Sequence, residues 1–258
     1  MFSTNLLSIG YNRNGKDFVV QSDLHLRLNS GELICLVGPN GSGKSTLLRT
    51  LAGLQQPLSG QVKIDNADIF SLSVRQKALL LAMVLTERVD IENTTVEQIV
   101  AMGSMPHTSW WGKLSSEERN QINEALQFVN LHDFRGRFIN ELSDGERQRT
   151  MIARALAQNT PHIFLDEPTA HLDLPNRIEI MLLLRNLAHK ANKAILLSTH
   201  ELEIALQIAD TIWLLSNNLP VQIGTPAELI ANGTFERVFD SKNYSFNTDN
   251  EYFIKLKK

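Results

Sequence analysis

The stretch Gly38-Pro39-Asn40-Gly41-Ser42-Gly43-Lys44-Ser45-Thr46 restricts the fold of this chain more than any other feature. It fits the spacing G-x-x-x-x-G-K-[ST] at every required position. The apolar run Leu33-Ile34-Cys35-Leu36-Val37 before it reads as a buried strand, and Thr46-Leu47-Leu48-Arg49-Thr50-Leu51 after it reads as the first turns of a helix. Phosphate binding needs this order of strand, glycine loop and helix. The glycines let backbone N–H groups converge on phosphate oxygens, and the helix N-terminus adds positive potential. Lys44 would reach the β- and γ-phosphates, and the Ser45 hydroxyl would bind Mg²⁺. A chance glycine turn before a helix is the plain alternative, and the flanking strand and helix weigh against it. The expected ligands are a nucleotide and Mg²⁺, with residues 38–46 cradling the nucleotide.

The bulk properties set the surroundings. With 258 residues, 43% of them hydrophobic, the chain can bury a good core. A net charge of −3 argues against a nucleic-acid partner, which would call for a clearly basic surface. Cys35 is the single cysteine, so no disulfide forms within the chain, as in a reducing compartment. No apolar run approaches a membrane span, and the N-terminus has no basic region followed by an apolar stretch. Any work at a membrane is expected from outside the bilayer.

Along the chain, residues 1–30 read as antiparallel strands, with Leu24, Leu26 and Leu28 alternating with polar residues. Pro57-Leu58-Ser59-Gly60 reads as a turn before a short strand over 61–64. From about residue 89 to 159 the pattern is helical. Thr95 caps one helix, Ser115-Ser116-Glu117-Glu118 opens another, and a basic helix spans 148–157. From Pro161 onward strands (162–166, 194–198, 211–215) alternate with helices, and Pro175 lies in the first turn of one of them. The expected fold class is α/β: a P-loop NTPase core with a mainly parallel sheet, an N-terminal antiparallel β subdomain and an inserted α-helical subdomain. The expectation is one domain over 1–258, with a nucleotide-binding core at 1–87 and 160–258 and a helical subdomain at 88–159. In 251–258, Tyr252, Ile254 and Leu256 alternate and suggest a final strand packed on the core.

Two further motifs carry chemistry. His162-Ile163-Phe164-Leu165-Asp166-Glu167-Pro168 is an apolar strand ending in two acids. Asp166 fits the carboxylate that orients Mg²⁺ beside the loop hydroxyl. Glu167 could polarise the attacking water as general base. Without the phosphate loop, Asp-Glu-Pro would be an ordinary polar turn. Leu142-Ser143-Asp144-Gly145-Glu146-Arg147-Gln148-Arg149 then places a hydroxyl and backbone N–H groups ahead of a basic helix, where they can meet a phosphate.

With these motifs the whole chain resembles the nucleotide-binding subunit of an ABC transporter. The stretch 142–149 is similar to that family's signature motif, with Asp144 and Glu146 where Gly and Gln are most usual. Ser143 and Gly145, the positions that would touch the γ-phosphate, are kept. The resemblance implies that they act across a head-to-tail homodimer, on ATP held by the partner's phosphate loop. It also implies that Tyr11 stacks on adenine, a ring that could equally be a core or surface tyrosine. Asp173, in Ala170-His171-Leu172-Asp173, would belong to the loop linking the two ATP sites. His200, in Thr199-His200, would contact the γ-phosphate.

One position departs from the family. A glutamine usually joins the core to the helical insertion and contacts Mg²⁺ and water, yet none occurs between Gln76 and Gln98. Thr86 aligns with it, and a hydroxyl can bind metal or water with a shorter reach. Glu87 is the neighbouring alternative. Ala101-Met102-Gly103-Ser104-Met105-Pro106-His107 and Trp110-Trp111, together with His171, resemble importer ATPases for iron–siderophore, haem or cobalamin. The two tryptophans either pack the helical subdomain or line a groove for the permease's cytoplasmic helix. The implied partners are transmembrane permease subunits and, indirectly, a periplasmic or surface substrate-binding protein. The implied location is peripheral, on the cytoplasmic face of the inner (cell) membrane. A soluble ABC ATPase with no transporter is the rival, and a non-hydrolysing nucleotide module is a second.

Overall fold

Leu24, Leu26 and Leu28 are all buried, and the alternation that predicts antiparallel strands builds an N-terminal sheet. The computed structural model describes residues 1–86, 93–107 and 114–239, together with the backbone of 244–246 and 254–256. Strands β1 (Phe2–Arg13), β2 (Lys16–Leu24) and β3 (Arg27–Leu28) come first. β4 (Leu33–Val37) then runs into the phosphate loop and α1 (Lys44–Leu51). β5 (Ser59–Ile64) and β6 (Ala67–Asp68) return to the first sheet, which has the order β2-β1-β5-β6 with β3 also paired to β1.

A helix α2 (Val74–Leu80) leads without a break into an edge strand β7 (Leu81–Val84). Helices α3 (Val96–Met102), α4 (Ser116–Phe128) and α5 (Asp144–Ala157) follow. Each begins at a capping box, Thr95 with Gln98, Ser115 with Glu118 and Ser143 with Glu146, in which side chain and backbone satisfy each other's open N–H groups. The box at Ser143 draws residues 144–147 into the first turn, so α5 starts four residues earlier than the predicted 148.

The remainder alternates. β8 (His162–Asp166), α6 (Leu174–Lys190), β9 (Ala194–Ser198), α7 (Leu202–Ile208) and β10 (Thr211–Leu214) precede β11 (Gln222–Gly224), α8 (Pro226–Ala231) and α9 (Thr234–Phe239). β12 (Tyr244–Phe246) and β13 (Ile254–Leu256) pair antiparallel as their own two-stranded sheet, so the expected last strand forms outside the main sheets. Tyr252 and the side chains of Ile254 and Leu256 lie outside the described residues.

The main sheet has six strands in the order β11-β10-β4-β9-β8-β7, all parallel except the antiparallel edge strand β11. Its central strands are apolar on both faces, as a parallel sheet covered on both sides requires. Leu33, Cys35, Ile163, Leu165, Ile195 and Leu197 belong to the core layer shared with α5 and α6. Ile34, Leu36, Phe164 and Leu196 belong to the layer shared with α1 and the antiparallel sheet. Burial pushes the Cys35 thiol far above its ordinary pKa, which leaves it a neutral core residue. No helix among the described residues is long and apolar enough to cross a membrane.

Candidate functional site

The phosphate loop is held from three sides. Gly38 has φ 151°, and a Cβ there would come within 2.4 Å of the Leu215 carbonyl oxygen. Gly43, at φ 100°, packs so closely that a Cβ would lie 2.4 Å from Val20 Cγ1 on β2. The buried Gln21 amide donates to the carbonyls of Ser42 (3.1 Å) and Ser216 (2.7 Å), tying the loop to the end of β10. Lys44 folds back over the loop and donates to the carbonyls of Gly38 (2.9 Å) and Pro39 (3.2 Å). Burial lowers its pKa below the ordinary value, while Glu167 and Asp166 pull the other way. A poorly hydrated ammonium held against a glycine-rich loop is a good seat for phosphate. The Ser42 hydroxyl is buried with no hydrogen-bond partner, a polar atom left over in the middle of the loop.

The end of β8 supplies the acids, and the end of β9 places a serine beside them. Ser45 Oγ donates to Asp166 Oδ1 at 3.1 Å, and Ser198 Oγ donates to the same oxygen at 2.6 Å. A hydroxyl and a carboxylate oxygen suit Mg²⁺, a hard cation that takes one or two protein oxygens and leaves its other positions to water and phosphate. Glu167 adopts φ 48°, and its Oε1 lies 2.6 Å from His200 Nε2. The Thr86 hydroxyl donates to the main-chain oxygen of Asp166 at 2.8 Å, so its proton is engaged with the backbone there. Glu87 lies outside the described residues, as do Trp110 and Trp111.

Tyr11 is partly exposed on β1 and stacks on Phe18 of β2, with ring centroids 5.6 Å apart and planes 18° from parallel. The Arg13 guanidinium lies 5.0 Å from the Tyr11 ring centroid. Ile9, two residues before Tyr11, brings its Cδ1 close to Gly43, and the β1–β2 register shifts between Ile9 and Gly10.

Ser143 and Gly145 occupy the start of α5. The Ser143 hydroxyl donates to Glu146 Oε2 at 2.7 Å, and its N–H donates to the same oxygen at 2.8 Å. Gly145 packs on Asn176 of α6, where a Cβ would fall 2.6 Å from Asn176 Oδ1. Asp173 caps α6 and accepts from the backbone and side-chain N–H groups of Asn176, at 3.1 and 2.7 Å. Arg177 extends the connection. It donates to the Leu172 carbonyl at 2.7 Å and to Glu201, beside His200, at 2.7 Å. Phe18, Gln21, Asn176, Arg177 and Ser198 thus join the site without having been singled out in the sequence. A polar residue ending the apolar strand 194–198 was the one local signal, at Ser198.

Such a fold, with an acid of β8 meeting the phosphate loop at Ser45 and a histidine after β9 paired with the next acid, defines a phosphate-loop nucleotide hydrolase. The model of the ABC transporter family matches residues 21–170, and the chain belongs to that family. An uncharacterized ABC transporter ATP-binding protein of Methanocaldococcus jannaschii is 40% identical to it over 253 residues, 98% of this chain and 86% of the relative. The iron(3+)-hydroxamate import ATP-binding protein FhuC of Bacillus subtilis is 34% identical over 237 residues, 92% of this chain and 87% of the relative. The dimeric structure of a post-hydrolysis state of the ATP-binding cassette MJ0796, bound to ADP and Pi, matches with a TM-score of 0.74 at 29% identity. That match covers 88% of this chain and 99% of the cassette. The chain is an ATP-binding subunit of an ABC transporter, and ATP hydrolysis is its activity.

Proposed function

We propose that this chain powers an importer for an iron–siderophore, or for a related cargo such as haem or cobalamin, as a homodimer on the cytoplasmic face of the inner membrane. It would dock on transmembrane permease subunits fed by a periplasmic or surface binding protein. The observation that carries the catalytic part is the run of contacts Ser45–Asp166–Ser198 and Glu167–His200 beside the buried Lys44. The cargo class is supported by the hydroxamate-import relative and by the sequence features at 101–107 and 171.

In this reading residues 38–46 cradle the phosphates, Lys44 neutralises the β- and γ-oxygens, and Tyr11 with Phe18 offers the adenine a ring face. Ser45 and Asp166, with Thr86 close behind, would hold Mg²⁺, which when bound neutralises charge on the transferring phosphoryl group. Glu167 takes a proton from the attacking water, and His200 holds Glu167 and the γ-phosphate in register. Ser143, Gly145 and Asp173 would act on the partner's nucleotide. Residues 1–87 and 160–258 form the nucleotide core of one domain over 1–258, with 88–159 as the unit that meets the permease. A groove of about 690 Å³ between α3 and α4 supports that role. Ala101, Leu114 and Ile122 make its apolar floor, and Glu97, Arg119 and Arg135 supply charge.

Lys44→Ala should lose most Mg²⁺-dependent ATPase activity, at least about a hundredfold, with the melting temperature in the absence of nucleotide unchanged. Uptake of iron–hydroxamate by cells carrying the wild-type chain and its permease, and its loss with Lys44→Ala, tests the transport reading. Wild-type turnover in the variant would sink the phosphate-loop assignment. Normal uptake in cells lacking the chain would sink the cargo.

A further inference from the structure

Ser198 closes β9 and is completely buried. Its register partner in the parallel pair is Asp166, the last residue of β8. Register partners share a face of the sheet, and the residues two before them, Leu196 and Phe164, both lie in the layer that packs on α1. Ser198 and Asp166 therefore face the helix that carries Ser45. The rest of β9 is apolar, and a hydroxyl buried among such neighbours is unfavourable unless it is fully bonded.

This hydroxyl is bonded both as donor and as acceptor. It donates to Asp166 Oδ1 at 2.6 Å and accepts from the main-chain N–H of Glu167 at 2.9 Å. The first bond falls on the same carboxylate oxygen that receives Ser45. The second holds a residue whose φ of 48° a glutamate seldom adopts. The backbone of Glu167 sets where its carboxylate meets His200. One side chain thus fixes two neighbouring acids of unlike role.

We propose that Ser198 is a positioning residue for ATP hydrolysis, a single hydroxyl that sets the metal-facing carboxylate of Asp166 and the backbone of Glu167 relative to each other. The proposal rests on the reading of Ser45 and Asp166 as Mg²⁺ ligands. Without the hydroxyl, Asp166 loses one of the two donors on Oδ1 and the Glu167 N–H loses its partner. The carboxylate then loses its fixed aim, and the Glu167 backbone relaxes.

Ser198→Ala removes the oxygen with the least change in volume. Affinity for a non-hydrolysable ATP analogue is measured by calorimetry in EDTA and again with Mg²⁺, together with kcat and the melting temperature in EDTA. The expected result is an unchanged metal-free affinity, a gain from Mg²⁺ reduced about fivefold, and a kcat lowered about tenfold at saturating ATP·Mg²⁺. Ser198→Thr, which restores a hydroxyl, should recover most of both. A variant with the wild-type gain from Mg²⁺ and the wild-type kcat overturns the proposal. Equal loss of metal-free and metal-bound affinity with a lowered melting temperature also overturns it, because that pattern marks a packing role. If the wild type itself gains no affinity from Mg²⁺, the metal pair is wrong and the proposal falls with it. Should Ser198→Ala fail to fold, Ser198→Cys is judged by the same two titrations.

Discussion

Glu146 carries a negative charge where the family most often has a neutral glutamine, and the structure gives that charge a local job. Its carboxylate accepts both the hydroxyl and the N–H of Ser143, and its own N–H returns to Ser143 Oγ at 3.4 Å. To donate to a partner's phosphate, Ser143 must turn away from Glu146. The bonds from Ser143 hold the Glu146 carboxyl below its ordinary value of 4.5. A lowered folded-state value means stability that is fully present above that ordinary value and lost as the pH falls below it. Glu146→Ala should therefore destabilise the chain by about 1 kcal/mol at neutral pH, the usual worth of a helix cap. The difference from wild type should shrink once the pH drops below the ordinary glutamate value. Urea unfolding of both proteins at neutral and acid pH measures it. A difference that stays constant would mean that the neutral side chain caps α5 equally well. The charge at 146 is legible in the sequence, but its choice of its own cap as partner depends on side-chain rotamers that no spacing specifies.

Between elements, α5 meets α6 closely at Gly145 and Asn176. A glycine in a signature motif is expected to leave room for a partner's phosphate. Here it also leaves room for Asn176 of its own subunit, so a larger residue does harm before any dimer forms. Gly145→Ala should push Asn176 off Asp173 and cost about 1–2 kcal/mol, as overpacking does. Adding Asn176→Ala should recover most of that loss. A double-mutant cycle by urea unfolding reads the coupling, and strict additivity would show that the two residues do not meet. The start of each capped helix is legible because a hydroxyl and a Gln or Glu three residues on mark the turn, as at Thr95 and Ser115. The passage from α2 to β7 is not legible. Leu79-Leu80-Leu81-Ala82-Met83-Val84 is one apolar run with no Gly or Pro to divide helix from strand, and its periodicity fits either. Gln21, Asn176 and Ser198 are not legible for a different reason. Their roles come from which strand or helix lies beside them, and that order is set by the sheet rather than by neighbours in the chain.

At the scale of the molecule, the acids lie beside the loop and His200 beside Glu167, while Ser143 and Gly145 sit at the head of α5, and the proposed function assigns the two groups to different nucleotides. Dimerisation and hydrolysis should therefore be separable at Glu167. Glu167→Gln removes the proton acceptor but keeps an oxygen to face His200, and the bond from its N–H to Ser198 belongs to the backbone and survives. The fold and the phosphate seat should be untouched, because Lys44, Ser45 and Asp166 do not depend on the Glu167 side chain for their bonds. Turnover should fall by about 10²–10⁴, the contribution of a positioned general base. ATP affinity should stay near wild type. With hydrolysis blocked, ATP·Mg²⁺ should hold two chains together long enough to elute as a dimer in gel filtration, and Lys44→Ala under the same conditions should elute as a monomer. Wild-type turnover in Glu167→Gln would remove this residue from the role of base. A monomer in the presence of ATP·Mg²⁺, from a variant that still binds ATP and while the wild type dimerises, would mean that charge at 167 is needed for closure and not only for the chemistry.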